Sequence, residues 1–148
     1  MNNMDTAMVQ EVDEGTEEKK KASDLDIVFS VLAYLVRGGT IARCEDIKSQ
    51  LQRVFSVHKD HHLIKDSFYF RPSPIDLFSG NLDDVAGALR ISGTYEVAGD
   101  RMDALIHPEI YDYAKSDIFP RMGLDKEGHK FLEDLSKEIE VKERYRKV

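Results

Sequence analysis

A single cysteine, no tryptophan and four prolines in 148 residues narrow the reading from the start. With Cys44 alone no intramolecular disulfide can form, which excludes a disulfide-stapled secreted scaffold and makes a reduced, cytoplasmic setting the expectation. No apolar run approaches the roughly 20 residues that a membrane-spanning helix needs. Met1 to Lys21 has no apolar stretch between a basic start and a small-residue cleavage site, so the chain reads as neither secreted nor anchored. Basic residues are in the minority, 21 Lys and Arg against 28 Asp and Glu, for a formal charge of −7. An acidic chain repels a phosphate backbone at long range unless its cations gather on one face.

What is present is an ordinary globular balance, 41% hydrophobic and 33% charged, in a length that supports one core without a metal or disulfide. Residues 1–22 lack apolar periodicity and hold six carboxylates against three lysines. They read as a disordered charged tail, dispensable for folding, because too little apolar surface is available to offset the entropy of ordering them. The domain is expected over 23–141, followed by a basic tail over 142–148.

Ser23 precedes Leu25, Val28, Val31, Leu32 and Leu35 at helical spacing, which predicts a capped helix from Asp24 to about Arg37. Gly38 and Gly39 end it. Thr40 and Ile41 then lead into a second helix, Cys44 to Val57, that turns Ile47, Leu51, Val54 and Phe55 inward and a basic face outward. Ser67 to Arg71 is aromatic and strand-like, and Pro72 and Pro74 impose a structured loop after it. A third helix, capped by Ser79 or Asn81, carries Leu82, Val85, Ala86 and Leu89 and stops near Ser92 and Gly93. Thr94–Ala98 and Arg101–Ile106 flank Gly99 and Asp100 as a β-hairpin. Pro108 opens a short helix through Ala114. Phe131, Leu132, Leu135 and Ile139 stripe a last helix that begins after Leu124. The fold class is therefore mainly α with a small β-hairpin, α+β.

That order of elements, with Gly93-Thr94-Tyr95-Glu96-Val97 and the segment Leu124-Asp125-Lys126-Glu127-Gly128-His129-Lys130-Phe131-Leu132, resembles a winged-helix domain. The first stretch is similar to the step from recognition helix into wing. The second is similar to the segment that follows the wing in many winged-helix regulators. The departure is the long connection from His58 to Ser79, where a helix-turn-helix uses a turn of about three or four residues. Phe68-Tyr69-Phe70, Pro72-Ser73-Pro74 and Ser79 in that connection resemble YwgA-like and Panacea-type proteins, groups that include antitoxin-like domains that bind proteins. The first resemblance implies a DNA-binding regulator acting as a homodimer, and the second implies a protein-interaction module.

For DNA the candidate contacts are Arg71, Arg90, Arg101, Arg144 and Arg146. For a protein partner they are Tyr69, Phe70 and Phe78. Other constellations have plainer readings. His58, His61 and His62 with Asp60 or Asp66 offer metal-ligand chemistry, but their spacing matches no metal motif, so no metal is expected. Cys44 lacks a neighbouring base to activate it. Asp83 and Asp84, adjacent on a helix, point about 100° apart and suit the positive first turn instead of a shared substrate. Gly38-Gly39 lacks the lysine and hydroxyl residue of a phosphate loop. Tyr111, Tyr113 and Phe119 complete a core or a dimer contact. No nucleophile, base and oxyanion donors assemble from these motifs, so neither catalysis nor a cofactor is expected.

Overall fold

The computed structural model describes residues 22–72, 77–99 and 102–146. It is an α+β structure in which helices pack around the first long helix and a small antiparallel sheet of four strands stands beside them. Helix α1 (Asp24–Leu35) starts where Ser23 Oγ accepts the Asp26 N–H at 3.1 Å, as the sequence predicts. It is buried on nearly every side, from Ile27 and Val28 to Ser30, Ala33 and Leu35, because it packs against the last helix, the third long helix and the segment between them. A helix surrounded in this way needs apolar residues all round, not on one stripe. Leu25, expected in the core, is instead exposed in the first turn at the rim of a cleft.

Ile41–Cys44, expected to lead into the second helix, is strand β1. Its neighbours explain this: Ala42 and Cys44 are fully buried, and the strand is paired on both edges. Asp46, in a left-handed conformation at φ 46°, then caps α2 (Ile47–Val57) by accepting the Ser49 N–H. The connection that follows holds a helical turn α3 (His62–Lys65), which the sequence reading missed, capped by His61 Nδ1 accepting the Leu63 N–H. It continues into a two-stranded hairpin, β2 (Arg71–Pro72) and β3 (Leu77–Phe78). The strand expected over Ser67–Arg71 is thus shifted to its C-terminal end, and Pro74 lies outside the described residues.

Ser79, not Asn81, caps α4 (Gly80–Ile91), its hydroxyl accepting the Leu82 N–H. Gly93 leaves that helix at φ 86°. Strands β4 (Glu96–Ala98) and β5 (Asp103–Ile106) form the expected hairpin, with Val97 opposite Ala104. The short helix after Pro108 continues further than expected: α5 (Glu109–Tyr113) passes through a π-helical turn at Ala114–Ile118 into α6 (Phe119–Met122). Helix α7 (Lys126–Lys137) buries Leu132 and Leu135.

The C-terminal residues correct the expected boundary. Glu143–Tyr145 is strand β6, which pairs with β1 (Ala42 opposite Arg144) and completes a sheet ordered β4-β5-β1-β6. The domain therefore runs beyond residue 141. At the other end Ala22 is already buried against the core, while residues 1–21 lie outside the described structure. Among the described residues no helix is long and apolar enough to cross a membrane.

Candidate partner-binding surface

The end of the β2–β3 hairpin is fastened to α2 by a buried side chain. Gln52 on α2 donates from Nε2 to the Ser79 carbonyl at 2.8 Å and accepts the Ser79 N–H at 2.9 Å, imitating one rung of a strand ladder. Just before the hairpin the chain is extended, and burial alternates along it. Phe68 is buried edge-on to Phe55, Tyr69 is out, Phe70 packs against the core and Arg71 is out. Alternation of this kind is what an extended backbone imposes. Phe78 pairs opposite Arg71, so Tyr69, Arg71 and Phe78 share the outward face. Tyr69 is 78% and Phe78 39% exposed. Phe70, named from sequence as a contact, is removed from that surface because it points the other way.

Among the described residues the basic candidates stand on separate elements. Arg71 is on the hairpin, and Arg90 is exposed in the last turn of α4. Arg144 lies on β6, at the opposite edge of the sheet from β4, and its guanidinium donates to the Leu35 carbonyl at 2.8 Å. Arg146 follows it, exposed, and Arg101 lies outside the described residues. The outward residues of α4 include Asn81, Asp84, Ala88 and Ile91, the last 88% exposed. Asp83, beside them, pairs with Lys48 at 3.4 Å. Arg90 is the one cation in this helix.

Sequence reasoning missed the most buried charge. Asp103 is 1% exposed and accepts from Arg43 Nε at 2.8 Å and Lys142 Nζ at 3.2 Å. The Arg43 bond is the main reason its carboxyl is held below the ordinary value, with Lys142 assisting against burial. Its other oxygen has no hydrogen-bond partner among the described residues. The cluster ties β5 and β1 to the approach of β6 and serves as a tether. Nothing in the spacing of residues 43, 103 and 142 signals it.

The remaining constellations are structural. Burial pushes the Cys44 thiol up to about 11, so it stays protonated and unreactive near neutral pH. His61 stacks on Phe131 at 3.5 Å between ring centroids and on His62 at 4.6 Å, while His58 Nε2 meets Glu138 at 2.8 Å. Among the described residues no three His, Cys, Asp or Glu side chains are arranged to hold a metal ion. Tyr111 and Phe119 join Tyr34 and His129 in an aromatic cluster on α1. Within it the Tyr34 hydroxyl is hydrogen-bonded to His129 Nδ1 at 3.0 Å, and burial is the main cause that raises its pKa to about 12. Tyr113 differs from its two companions and is half exposed.

Searches of family models, of curated proteins and of solved structures found no match to this chain.

Proposed function

We propose that the chain is a protein-binding module on a winged-helix-like scaffold and that it meets its partner through the outward face of the β2–β3 hairpin. The observation that carries this reading is the trio Tyr69, Arg71 and Phe78 on that face. Exposed aromatics beside an arginine have the composition of interface anchors, which dominate binding energy when a partner desolvates them. The strands are anchored at both ends, where Gln52 holds Ser79 and Phe68 is buried against Phe55.

A second reading, a regulator that binds duplex DNA as a dimer, rests on the element order. With α3 and the β2–β3 hairpin set aside as an insertion, the order helix, strand, helix, helix and hairpin, and the pairing of the first strand to the second strand of that hairpin, support a winged-helix-like reading. The surface speaks for the first reading: the helix that would enter a groove presents Asp84 and Ile91 with one arginine, and phosphate contact requires several cations.

Two measurements separate the readings. Affinity capture from the native cell with the full chain and with Tyr69→Ala/Phe78→Ala should lose a partner in the variant. Both residues are exposed, so the variant should melt within a degree or two of wild type, the usual result of surface substitutions worth about 0.5 kcal/mol. Identical partner sets would remove this surface. Titration with genomic DNA fragments from about 50 mM salt upward should show no salt-dependent binding, and steep weakening with rising salt would favour the DNA reading.

A further inference from the structure

Among the described residues the sheet β4-β5-β1-β6 is open along both outer edges. An open edge presents backbone N–H and C=O groups with which a further strand can pair. The two edges differ in charge. Strand β4 holds the carboxylate of Glu96 and no cation. Strand β6 is exposed along its length, carries Arg144 at its centre and runs on into Arg146. Side chains alternate along an extended chain, so Arg144 and Arg146 turn to one face and Glu143 and Tyr145 to the other.

Arg144 borders a groove of about 750 Å³, where the C-terminal ends of α1 and α7 approach β6. Arg37 and Glu133, which also line it, pair at 2.7 Å and cancel. Arg144 donates from Nη1 to the Leu35 carbonyl, and among the described residues no carboxylate meets its guanidinium. Lys137, in the last turn of α7, makes no hydrogen bond or ion pair among the described residues. The groove therefore holds two uncompensated positive charges in a chain whose formal charge is −7. On the other face of β6, Tyr145 is held near Arg43 and stays 37% exposed, with its ring open to a neighbouring apolar side chain. Free backbone groups at the edge, cations on one face and an aromatic ring on the other suit a strand with acids at alternate positions and apolar residues between them.

We propose that the outer edge of β6 takes up an acidic extended segment of a partner protein as a fifth strand of the sheet, its carboxylates toward Arg144, Arg146 and Lys137 and its apolar side chains beside Tyr145. A second copy of this chain is a poor occupant. Two copies of one strand related by a two-fold axis pair antiparallel, and only alternate residues turn their N–H and C=O outward, so each residue faces one whose number has the same parity. Arg144 would face its own counterpart, Lys142 or Arg146, and like charges directly opposite each other destabilise a strand pair. The β6 edge shares no residue with the Tyr69 and Phe78 surface, and the two proposals stand or fall separately.

The test is a titration of the full chain with a short peptide that alternates glutamate and valine, followed by backbone amide shifts. Two controls accompany it. One has lysine in place of glutamate, and the other is the glutamate peptide N-methylated at every peptide nitrogen, which keeps the charges and removes every ladder donor. The glutamate peptide should move the amides of Thr40, Glu143, Arg144 and Tyr145 in a saturable way, and neither control should do so at equal concentration. Lys137→Ala lies outside the strand and should weaken the glutamate peptide by about two- to fivefold, the worth of one exposed ion pair, while Tyr69→Ala/Phe78→Ala leaves it unchanged. Equal binding of either control, shifts that map away from β6, no saturable shift at millimolar peptide, undiminished affinity in Lys137→Ala, or a dimer in sedimentation whose β6 amides resist exchange would each overturn the proposal.

Discussion

Two glutamines of α2, Gln50 and Gln52, point to different sides of the helix and do work that their sequence context hides. Gln52 satisfies both backbone groups of Ser79. Gln50 donates to the carbonyls of Glu45 and Glu140 and accepts the Glu140 N–H at 2.6 Å. Each imitates a backbone segment, and each fastens a stretch that has no regular ladder of its own. A buried backbone group left without a partner costs about 1 to 3 kcal/mol. Gln52→Leu, close in volume, leaves the buried Ser79 N–H unpaired while the Ser79 carbonyl still accepts the Asp83 N–H at 3.2 Å, and should lower unfolding free energy by about 1 to 3 kcal/mol, read as a fall in the denaturant midpoint at constant slope. Gln52→Glu keeps an acceptor for the N–H but sets a carboxylate against a carbonyl, so it should not rescue. An unchanged midpoint in Gln52→Leu would mean that the Ser79 bonds contribute nothing to holding the hairpin.

At the scale of elements, the parts that were legible are those whose signal is local. Ser23 caps α1 and Ser79, one of two candidates, caps α4; the apolar spacing inside α4 matches its buried residues, and in α7 Leu132 and Leu135 are buried as expected. β1 escaped because four residues, Ile41 to Cys44, between a glycine pair and a helix carry no periodicity of their own. They are strand because β5 and β6 flank them. β6 escaped because Glu-Arg-Tyr reads as a charged tail, all three residues being exposed, and only backbone pairing makes it a strand. Of the candidate surface, Tyr69 and Phe78 were legible as exposed aromatics, but the inward turn of Phe70 follows from the alternation that Phe68 anchors. Removing residues 142–148 tests the reassignment of the C-terminus. It deletes the Lys142 N–H bond to Arg43, the Arg144 bond to Leu35 and the outer edge of the sheet. At about 1 kcal/mol for each such bond, the melting temperature should drop by several degrees. A chain that melts unchanged after this truncation would restore the reading of these residues as a tail.

The whole molecule responds to acid through groups that several elements hold neutral or paired. His129 has its pKa lowered by burial against α1, with Asp125 opposing. His61 has its pKa lowered first by burial and then by the neighbouring charges of His62 and His58. The geometry at His61 adds a direct reason, because its Nδ1 accepts the Leu63 N–H that starts α3 and a protonated nitrogen cannot accept. A group whose pKa is lower in the folded state binds its proton more readily once unfolded. Its stabilising contribution is complete above the ordinary histidine value of 6.5 and is lost as pH falls through the lowered folded value. Asp103 adds the same sign further down, full above its ordinary 3.8 and lost below it. Stability should therefore be flat near neutrality, fall in a first step just below pH 6.5 and fall again in the carboxylate range. His61→Asn separates the contributions, since asparagine retains a side-chain acceptor for the first turn of α3 but does not titrate. Melting curves at half-unit pH intervals should show the first step reduced in His61→Asn, with the carboxylate step intact. A first step of undiminished size in that variant would assign it to His129 alone and remove the His61 cap from the acid response.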